Sequence, residues 1–356
     1  MAEFLGLGLS HYPGFIYSDD RMSGRIKKIL GSREIPERLR DPSDWPAPMQ
    51  EEWGADEGFA FAAKHRAAFV DGVRKLRAAL DEFEPDAVVI FGDDQYENFK
   101  EDIVPPFCIY IRDSFETQPF LRGRFGQPEP NIWGLPNDQV VVTPGAATLA
   151  RAIATNLLES GLPVPYSYRG HHLDGLGHAF INTVLYLDYE QSGWTFPTVP
   201  FHVNAYGSAV VRNRGGHAHL FSEVPELPDP PAPSPRVACE LGSRIVRTLR
   251  DTPWRIALVG SASWSHAFLT KKNSYVYPDV EADRRCFGYV QRGDYEALGS
   301  LTTADLEESG QHELLNWMPL FGAMAELGQV PVWSELLESY VMNSSKALVL
   351  YPTTKA

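Results

Sequence analysis

The chain has 356 residues, and its 46 acidic against 32 basic residues give a formal net charge of -14. This balance argues against a nucleic-acid groove and against binding to an anionic membrane surface, so small molecules or proteins are the expected partners. Three widely spaced cysteines fit a reducing cytosol, and neither a secretion signal nor an apolar stretch of about 18 residues is found. We therefore expect a cytoplasmic protein.

The first predicted strand is the apolar run 4–9, and it leads directly into Ser10-His11-Tyr12-Pro13. A polar segment follows, at about 18–56. A helix is then predicted over about 58–83, because apolar residues recur there at helical spacing. His65 lies between Lys64 and Arg66 in this helix, and we expect it on the solvated face.

The second predicted strand, residues 86–91, breaks at Gly92 into the polar sequence Asp93-Asp94-Gln95. Further strands are predicted at about 104–111 and 164–168, with a helix between them at about 146–159. A histidine cluster then precedes the apolar run 183–187, and its members are His171, His172 and His178.

The remaining elements continue this alternation. A strand predicted at 200–206 is followed by a proline-rich loop, 223–236, and by a helix at about 238–249. The buried strand 256–260 opens through small residues onto His266, and the last third of the chain is expected to be mostly helical. Strand, helix and strand in repeating order predict an α/β fold, in which one elaborated domain, 1–356, has a central mostly parallel sheet flanked by helices.

Several of these histidines follow apolar runs, and open α/β sheets bind ligands beyond the carboxyl ends of their strands. Imidazole and carboxylate ligands without nearby thiolates favour non-haem Fe(II) held by two histidines and one carboxylate, although zinc or manganese binds similar groups. His11 is the best first ligand. Glu313 is a candidate carboxylate, but a glutamate at a helix N-terminus is equally explained by the helix dipole.

Five short motifs occur in the order found in class III extradiol ring-cleavage dioxygenases, which the chain resembles over residues 4 to about 351. Within that family it is similar to the enzymes that act on protocatechuate and on methoxylated catechols. The motifs are Ser10-His11-Tyr12-Pro13, residues 92–99, Gly177-His178-Ala179-Phe180, Ser263-Trp264-Ser265-His266 and residues 313–318.

The resemblance implies that His11 and Glu313 bind Fe(II), that His266 is the acid/base, and that His178 lies beside the substrate and dioxygen. It also places a metal ligand after the second strand, where well-known members have Asp-His and this chain has Asp94-Gln95. Gln95 would bind through its amide oxygen, as a neutral ligand weaker than imidazole. The alternative is that His171 or His172 completes the triad.

The implied substrates are a catechol-type aromatic and O2. A histidine with a pKa near neutrality, for which we choose His266, can accept the proton of the second catechol hydroxyl and return it later. Tyr12 and Trp264 are candidates to sandwich the ring, although core packing explains such residues equally well. Arg169, with Arg212 and Arg214 as alternatives, is a candidate anchor for a substrate carboxylate.

Two other functions fit the same residues. One is a noncatalytic scaffold of the same fold, which Gln95 favours, and the other is a zinc-dependent hydrolase that uses metal-bound water. No segment resembles the small partner subunit of some relatives, so a homo-oligomer is favoured. The ring substituents and the bond that is cleaved are left open by the sequence.

Overall fold

The computed structural model describes residues 1–121, 129–216, 218–223 and 227–356. Eleven strands are found in these segments, nine of them in one sheet and two in a separate hairpin-like pair. The strands are β1 Glu3–Leu9, β2 Ala87–Gly92, β3 Phe107–Tyr110, β4 Ser114–Thr117, β5 Val141–Pro144, β6 Tyr166–Ser167, β7 Thr198–Val203, β8 Arg255–Ser261, β9 Trp333–Leu337, β10 Lys346–Leu350 and β11 Thr354–Lys355. Strands β4 and β5 form the small pair.

The main sheet has the order β6-β3-β7-β2-β8-β1-β10-β9, and β11 pairs with β1 outside this path. Its four central strands, β7, β2, β8 and β1, are parallel to one another. Antiparallel pairing occurs only towards the two sides, among these described strands. The predicted α/β fold with a mostly parallel centre is therefore confirmed.

The register of the central strands brings their carboxyl ends to one edge. Leu9 at the end of β1 pairs with Ser261 at the end of β8, and Phe91 of β2 pairs with Gly260. All three strands are buried along nearly their whole length, as expected for a parallel sheet that is covered by helices. The polar residues that follow these strands consequently leave the sheet side by side.

Helices cover the sheet, and the buried apolar residues form one contiguous core cluster. The longest helix packs through the residues predicted from its periodicity, Phe69, Val73, Leu76 and Leu80, which are all buried. The α-helices are α1 Asp19–Leu30, α2 Ala47–Trp53, α3 Phe59–Phe83, α4 Ala147–Glu159, α5 His178–Leu187, α6 Pro235–Leu249, α7 Val280–Arg292, α8 Tyr295–Gly299, α9 Thr303–Glu308 and α10 Met318–Glu326. None of the helices in the described segments combines the length and the hydropathy needed to cross a membrane.

Two glycines of the central strands allow an indole to lie directly on the sheet. A Cβ atom added to Gly8 would lie 2.5 Å from the ring of Trp317, and one added to Gly260 would lie 3.0 Å from it. Nearly all real Cβ contacts are longer than these two distances, so a side chain at either position would require Trp317 to shift. Trp317 ends the 3-10 helix His312–Trp317, and its contact with β1 and β8 fixes the position of that helix.

Three details differ from the sequence predictions. The apolar run 183–187 is the second half of helix α5, so His178 lies at a helix start and not at a strand end. The last third contains three strands, β9 to β11, besides its helices. Helix α6 already begins at Pro235, because Ser234 accepts a hydrogen bond from the N–H of Val237 and proline fits the first helical turn.

The prediction for His65 was wrong. Its side chain is 5% exposed, and its ring stacks between Phe15 and Phe61 with centroid distances of 5.9 and 5.5 Å. His65 lies four residues before Phe69, so both residues share the face of α3 that packs on the core. Burial lowers the pKa of His65 well below its usual value, which keeps the ring neutral.

Candidate active site

Side chains from five separate segments meet at the carboxyl edge of the sheet. His11 follows β1, Asp93 follows β2, His266 follows β8, His178 begins α5, and Glu313 lies in the 3-10 helix that Trp317 anchors. We call these five residues the inner cluster. The side chains of all but His178 are at most 5% exposed, and that of His178 is 18% exposed.

His11 has one ring nitrogen held by the protein and one directed at a carboxylate. Its Nδ1 lies 2.8 Å from Ser261 Oγ, and its Nε2 lies 3.2 Å from Glu313 Oε2. An imidazole nitrogen and a carboxylate oxygen at this distance can share a metal ion in place of a proton.

Glu313 accepts hydrogen bonds on both carboxylate oxygens. Tyr206 donates its hydroxyl to Oε1 at 2.6 Å, and the backbone N–H of Ser263 donates to Oε2 at 2.9 Å. His266 Nε2 lies 3.2 Å from Oε1. Burial alone would raise the pKa of Glu313, but the charges of His266 and His11 outweigh it and hold the pKa well below the usual value.

Asp93 is the second carboxylate of the inner cluster. Its Oδ1 lies 3.6 Å from His11 Nε2 and accepts a hydrogen bond from Asn316 at 2.8 Å, while its buried Oδ2 has no hydrogen-bond partner. Burial first, and then the charge of Glu313, raise the pKa of Asp93. His11, Asp93 and His178 each offer a ligand atom, and these atoms lie within 4.8 Å of one another.

Glu97 orients His178 through two contacts. Its carboxylate lies 2.8 Å from His178 Nδ1 and also accepts the backbone N–H of His178 at 3.1 Å. Burial opposes protonation of the ring, but Glu97 outweighs it and raises the pKa of His178 to about 9. Nε2 of His178 is buried without a hydrogen-bond partner, and the ring lies edge-to-face with that of His11 at a centroid distance of 5.0 Å.

His266 is held by its backbone and by one ring nitrogen. The backbone N–H donates to the carbonyl of Gly310 at 2.9 Å, and Nε2 faces Glu313. The other ring nitrogen, Nδ1, is buried and has no hydrogen-bond partner. The ring therefore has a free position for exchanging a proton with a bound molecule.

Gln95 contacts Glu313 through the nitrogen of its side-chain amide. Its Nε2 donates to Glu313 Oε1 at 2.8 Å and also contacts the hydroxyl of Tyr206. Asp93, two residues earlier in the same turn, lies with its Oδ1 3.6 Å from His11 Nε2.

The two aromatic residues predicted to sandwich the substrate are core residues in the structure. Trp264 is fully buried and packs edge-to-face on Trp317, with a centroid distance of 5.3 Å. Tyr12 is 1% exposed, and its ring packs on Phe15 and lies 4.0 Å from Nζ of Lys346. The alternative that the sequence analysis gave for them, core packing, accounts for both positions.

The arginines considered for binding a substrate carboxylate lie in two different parts of the structure. Arg169 is exposed on the loop after β6, and its carbonyl accepts a hydrogen bond from Ser167, so the structure places it outside the inner cluster. The segment that contains Arg214 lies against the site, because a Cβ on Gly215 would lie 2.2 Å from the backbone of Gln95.

The two histidines offered as alternative ligands also lie outside the inner cluster. His171 and His172 both contact Asp102, and their side chains are 54% and 35% exposed. The two histidines contact each other, and among the described residues neither has a contact with His11 or Glu313.

Four residues that the sequence analysis did not assign complete the site, namely Asp93, Glu97, Tyr206 and Ser261. Asp93 and Glu97 belong to a motif that was recognised, but the spacing did not show which side chains turn inwards. Tyr206 lies three residues after the end of β7, at the same edge of the sheet. Ser261 is the last residue of β8, and its pairing with Leu9 is the signal that would have placed it beside His11.

Comparison with known proteins identifies relatives with one shared description, 2,3-dihydroxyphenylpropionate/2,3-dihydroxicinnamic acid 1,2-dioxygenase. The relative from Burkholderia vietnamiensis is 27% identical over 287 residues, which cover 72% of this chain and 80% of the relative. That from Paraburkholderia phymatum is 27% identical over 305 residues, 76% and 86% of the two chains. The chain therefore has homologues named as dioxygenases.

Two further comparisons add little. No family model matches the chain. The crystal structure of an uncharacterized protein from Escherichia coli K12 aligns over 79% of this chain and 91% of that one, with 14% sequence identity and a TM-score of 0.44.

Proposed function

We propose that the protein is a non-haem Fe(II)-dependent extradiol dioxygenase, which opens the ring of a catechol-type aromatic with O2. The observation that carries the proposal is the approach of His11 Nε2 and Glu313 Oε2 to 3.2 Å in a buried cluster that also contains two histidines with a free ring nitrogen. The names of the relatives support the same reaction class. A relationship to the enzymes that act on protocatechuate stays a prediction.

The inner cluster fits a divalent cation. His11 Nε2 and Glu313 Oε2 lie 3.2 Å apart, and Asp93 Oδ2 is buried without a partner. One imidazole and two carboxylates are ligands that iron(II) accepts. We propose that His11, Glu313 and Asp93 hold the metal and that Gln95 and Tyr206 orient Glu313, in place of the Gln95 ligand expected from the sequence.

Ferrous iron bound there would supply a centre to which the diol and O2 both bind, and through which electron density passes from the ring to oxygen. The protein would provide the proton transfers. His266 would accept the proton of a catechol hydroxyl at its unpartnered Nδ1, since Nε2 is engaged with Glu313. His178, which Glu97 keeps protonated near neutral pH, would donate a proton or a hydrogen bond from Nε2.

A catechol with a carboxylate side chain is the substrate class that we propose. The relatives are named for dihydroxylated phenylpropionate and cinnamate compounds, and the segment of Arg214 lies against Gln95 at the site. Arg212 and Arg214 both belong to this segment, and Nε of Arg212 is buried without a hydrogen-bond partner. These two residues are our candidates for the carboxylate anchor, because guanidinium binds carboxylate in two-point geometry. The cytoplasmic location and the homo-oligomeric state stay predictions.

Anaerobic reconstitution with Fe(II), followed by O2 uptake measurements on a panel of catechols, tests the function. We expect oxygen consumption that requires ferrous iron, together with a ring-opened product by mass spectrometry. Zn²⁺ loading should give no oxygen uptake, whereas a zinc hydrolase would be active in that form. Iron-loaded protein that consumes no O2 with any catechol of the panel would contradict the proposal.

A further inference from the structure

A second group of metal-ligating side chains lies on the surface, outside the inner cluster. It consists of Asp102, His171 and His172, which we call the loop cluster. Each residue offers one ligand atom, and these atoms lie within 4.8 Å of one another. Nε2 of His172 is 3.0 and 3.1 Å from the two oxygens of Asp102, and Nε2 of His171 contacts the same carboxylate.

The backbone that carries the loop cluster is fixed by buried groups. Oδ1 of Asn98, a residue that is 4% exposed, accepts the backbone N–H groups of His171, His172 and Leu173. The amide nitrogen of Asn98 donates to the hydroxyl of Tyr110 at 2.6 Å. A ligand that binds the loop cluster therefore meets a preorganised site and does not have to order two loops.

We propose that the loop cluster is a binding site for a divalent transition metal, Zn²⁺. Two imidazoles and one carboxylate, with a fourth position open to water, form a common zinc ligand set. Nitrogen and oxygen sites of this kind bind Zn²⁺ more tightly than Fe²⁺.

The chemistry of Asp102 agrees with this assignment. Nε2 of His172 lies within hydrogen-bond distance of both oxygens of Asp102, so the imidazole and the carboxylate already face one another as ligands of one ion would. A salt bridge needs a protonated histidine, whereas a metal needs neutral ones and binds better as the pH rises. The two interpretations therefore predict opposite pH dependences.

The position of the loop cluster links it to the proposed proton donor. Asp102 belongs to the segment after β2 that carries Glu97, and His171 and His172 belong to the segment that leads into His178. The Glu97–His178 pair joins the same two segments at the sheet edge. A metal ion in the loop cluster would cross-link them a second time, so it would restrict the movement of His178.

Zinc stoichiometry in chelator-treated, tag-free protein tests the proposal. Titration calorimetry at pH 7.5 should show that the wild-type chain binds one equivalent of Zn²⁺ more than the double variant His171→Ala/His172→Ala. The single variant His172→Ala should weaken the binding of this additional zinc ion by more than about 100-fold. Changing a residue that only supports a ligand would weaken it about 10- to 100-fold. Asp174→Asn, an exposed carboxylate on the same loop, is the matched control and should bind like the wild type.

The same titration separates the loop cluster from the inner cluster. The variant Glu313→Gln should still bind the zinc ion at the loop cluster, and the affinity for this ion should rise between pH 5.5 and 7.5. Circular dichroism checks that each variant is folded. Equal zinc stoichiometry and affinity in the wild type and the double variant, or affinity that falls with rising pH, would overturn the proposal whether or not the protein is a dioxygenase.

Discussion

The inner cluster and the loop cluster contain the same residue types in different surroundings. In the inner cluster, both carboxylates are at most 1% exposed, and Glu313 is held by protein donors on both oxygens. In the loop cluster, Asp102 is 39% exposed and interacts with two histidines only weakly shielded from water. The comparison shows that residue type alone does not determine the role of a site. Burial determines the desolvation penalty of each charged side chain, and a buried charge needs hydrogen-bond donors or an opposite charge beside it.

The change Glu313→Gln should have the largest effect. It keeps the shape of the side chain but removes the charge that faces His11, so we expect a loss of Fe(II) binding and a more than about 1000-fold loss of O2 uptake. Iron analysis after reconstitution and an oxygen electrode measure both quantities. Glu335→Gln, on strand β9 away from the cluster, is the control and should keep full activity.

The change His266→Ala should have the next largest effect. It removes a proton acceptor without removing a proposed metal ligand, so kcat should fall about 10²- to 10⁴-fold while the iron content stays the same. Full turnover with bound iron would show that another group accepts the proton. Loss of iron in this variant would instead make His266 a ligand.

The pair of Glu97 and His178 should make the stability of the metal-free protein depend on pH. The pKa of His178 is raised from 6.5 to about 9, so this stabilisation is complete below about pH 6.5 and is lost as the pH rises to about 9. The shift corresponds to stabilisation on the order of 3 kcal/mol.

Urea unfolding of the wild type and of Glu97→Gln, measured from pH 6.5 to 9.5, checks this dependence. The difference in unfolding free energy between the two proteins should shrink as the pH rises. A difference that is constant over this range would mean that Glu97 acts on His178 without its charge.

The change Gly8→Ala should destabilise the fold by about 1–3 kcal/mol, because the new methyl group would overlap the ring of Trp317. It should also weaken iron binding, since the same 3-10 helix carries Glu313. Gly24→Ala is a matched control in helix α1, where nothing lies within 4 Å of the added atom, and it should stabilise the helix slightly. Urea unfolding compares the two variants, and equal stabilities would show that the sheet tolerates the displaced indole.

The loop cluster should give the smallest effect on the metal-free protein. Asp102→Asn removes an exposed carboxylate whose ion pairs are screened by water, so we expect the unfolding free energy to change little. With zinc added, the wild type should gain stability that this variant lacks. A large loss of stability in the metal-free variant would indicate that the salt bridges themselves hold the loops together.

The sequence predicted the strands of the sheet centre better than the directions of side chains around them. Buried parallel strands are continuous apolar runs, so 4–9, 86–91 and 256–260 were all found, and the common edge followed from parallel pairing. After a strand ends, the turn alone decides which side chain points inwards, so Asp93 and Gln95 could not be told apart. Strands β9 and β11 were missed because they are short and partly exposed. Strand β10 lies between β1 and β9 and is buried, so its apolar run was a signal that the sequence analysis overlooked.

The helical position of His65 could have been read correctly. Its two charged neighbours suggested solvent, but residues four apart share a helix face and Phe69 was already assigned to the core. The position of Trp264, by contrast, could not be predicted from the sequence. It belongs to a site motif, yet only packing against Trp317 and Phe287 reveals that its ring fills the core.

Trp317 packs on Gly8 and Gly260, and the 3-10 helix that contains it also carries Glu313. The position of the Glu313 carboxylate therefore depends on the backbone of strands β1 and β8. Glu313 cannot approach or leave His11 by a local loop rearrangement, since its helix turn would have to lift an indole off the sheet. The distance between the His11 imidazole and the Glu313 carboxylate is consequently set by the packing of the whole sheet, and it should stay nearly constant while the protein functions. Redesign of the site for a larger metal ion would have to begin with the glycines beneath the ring, not with the ligands.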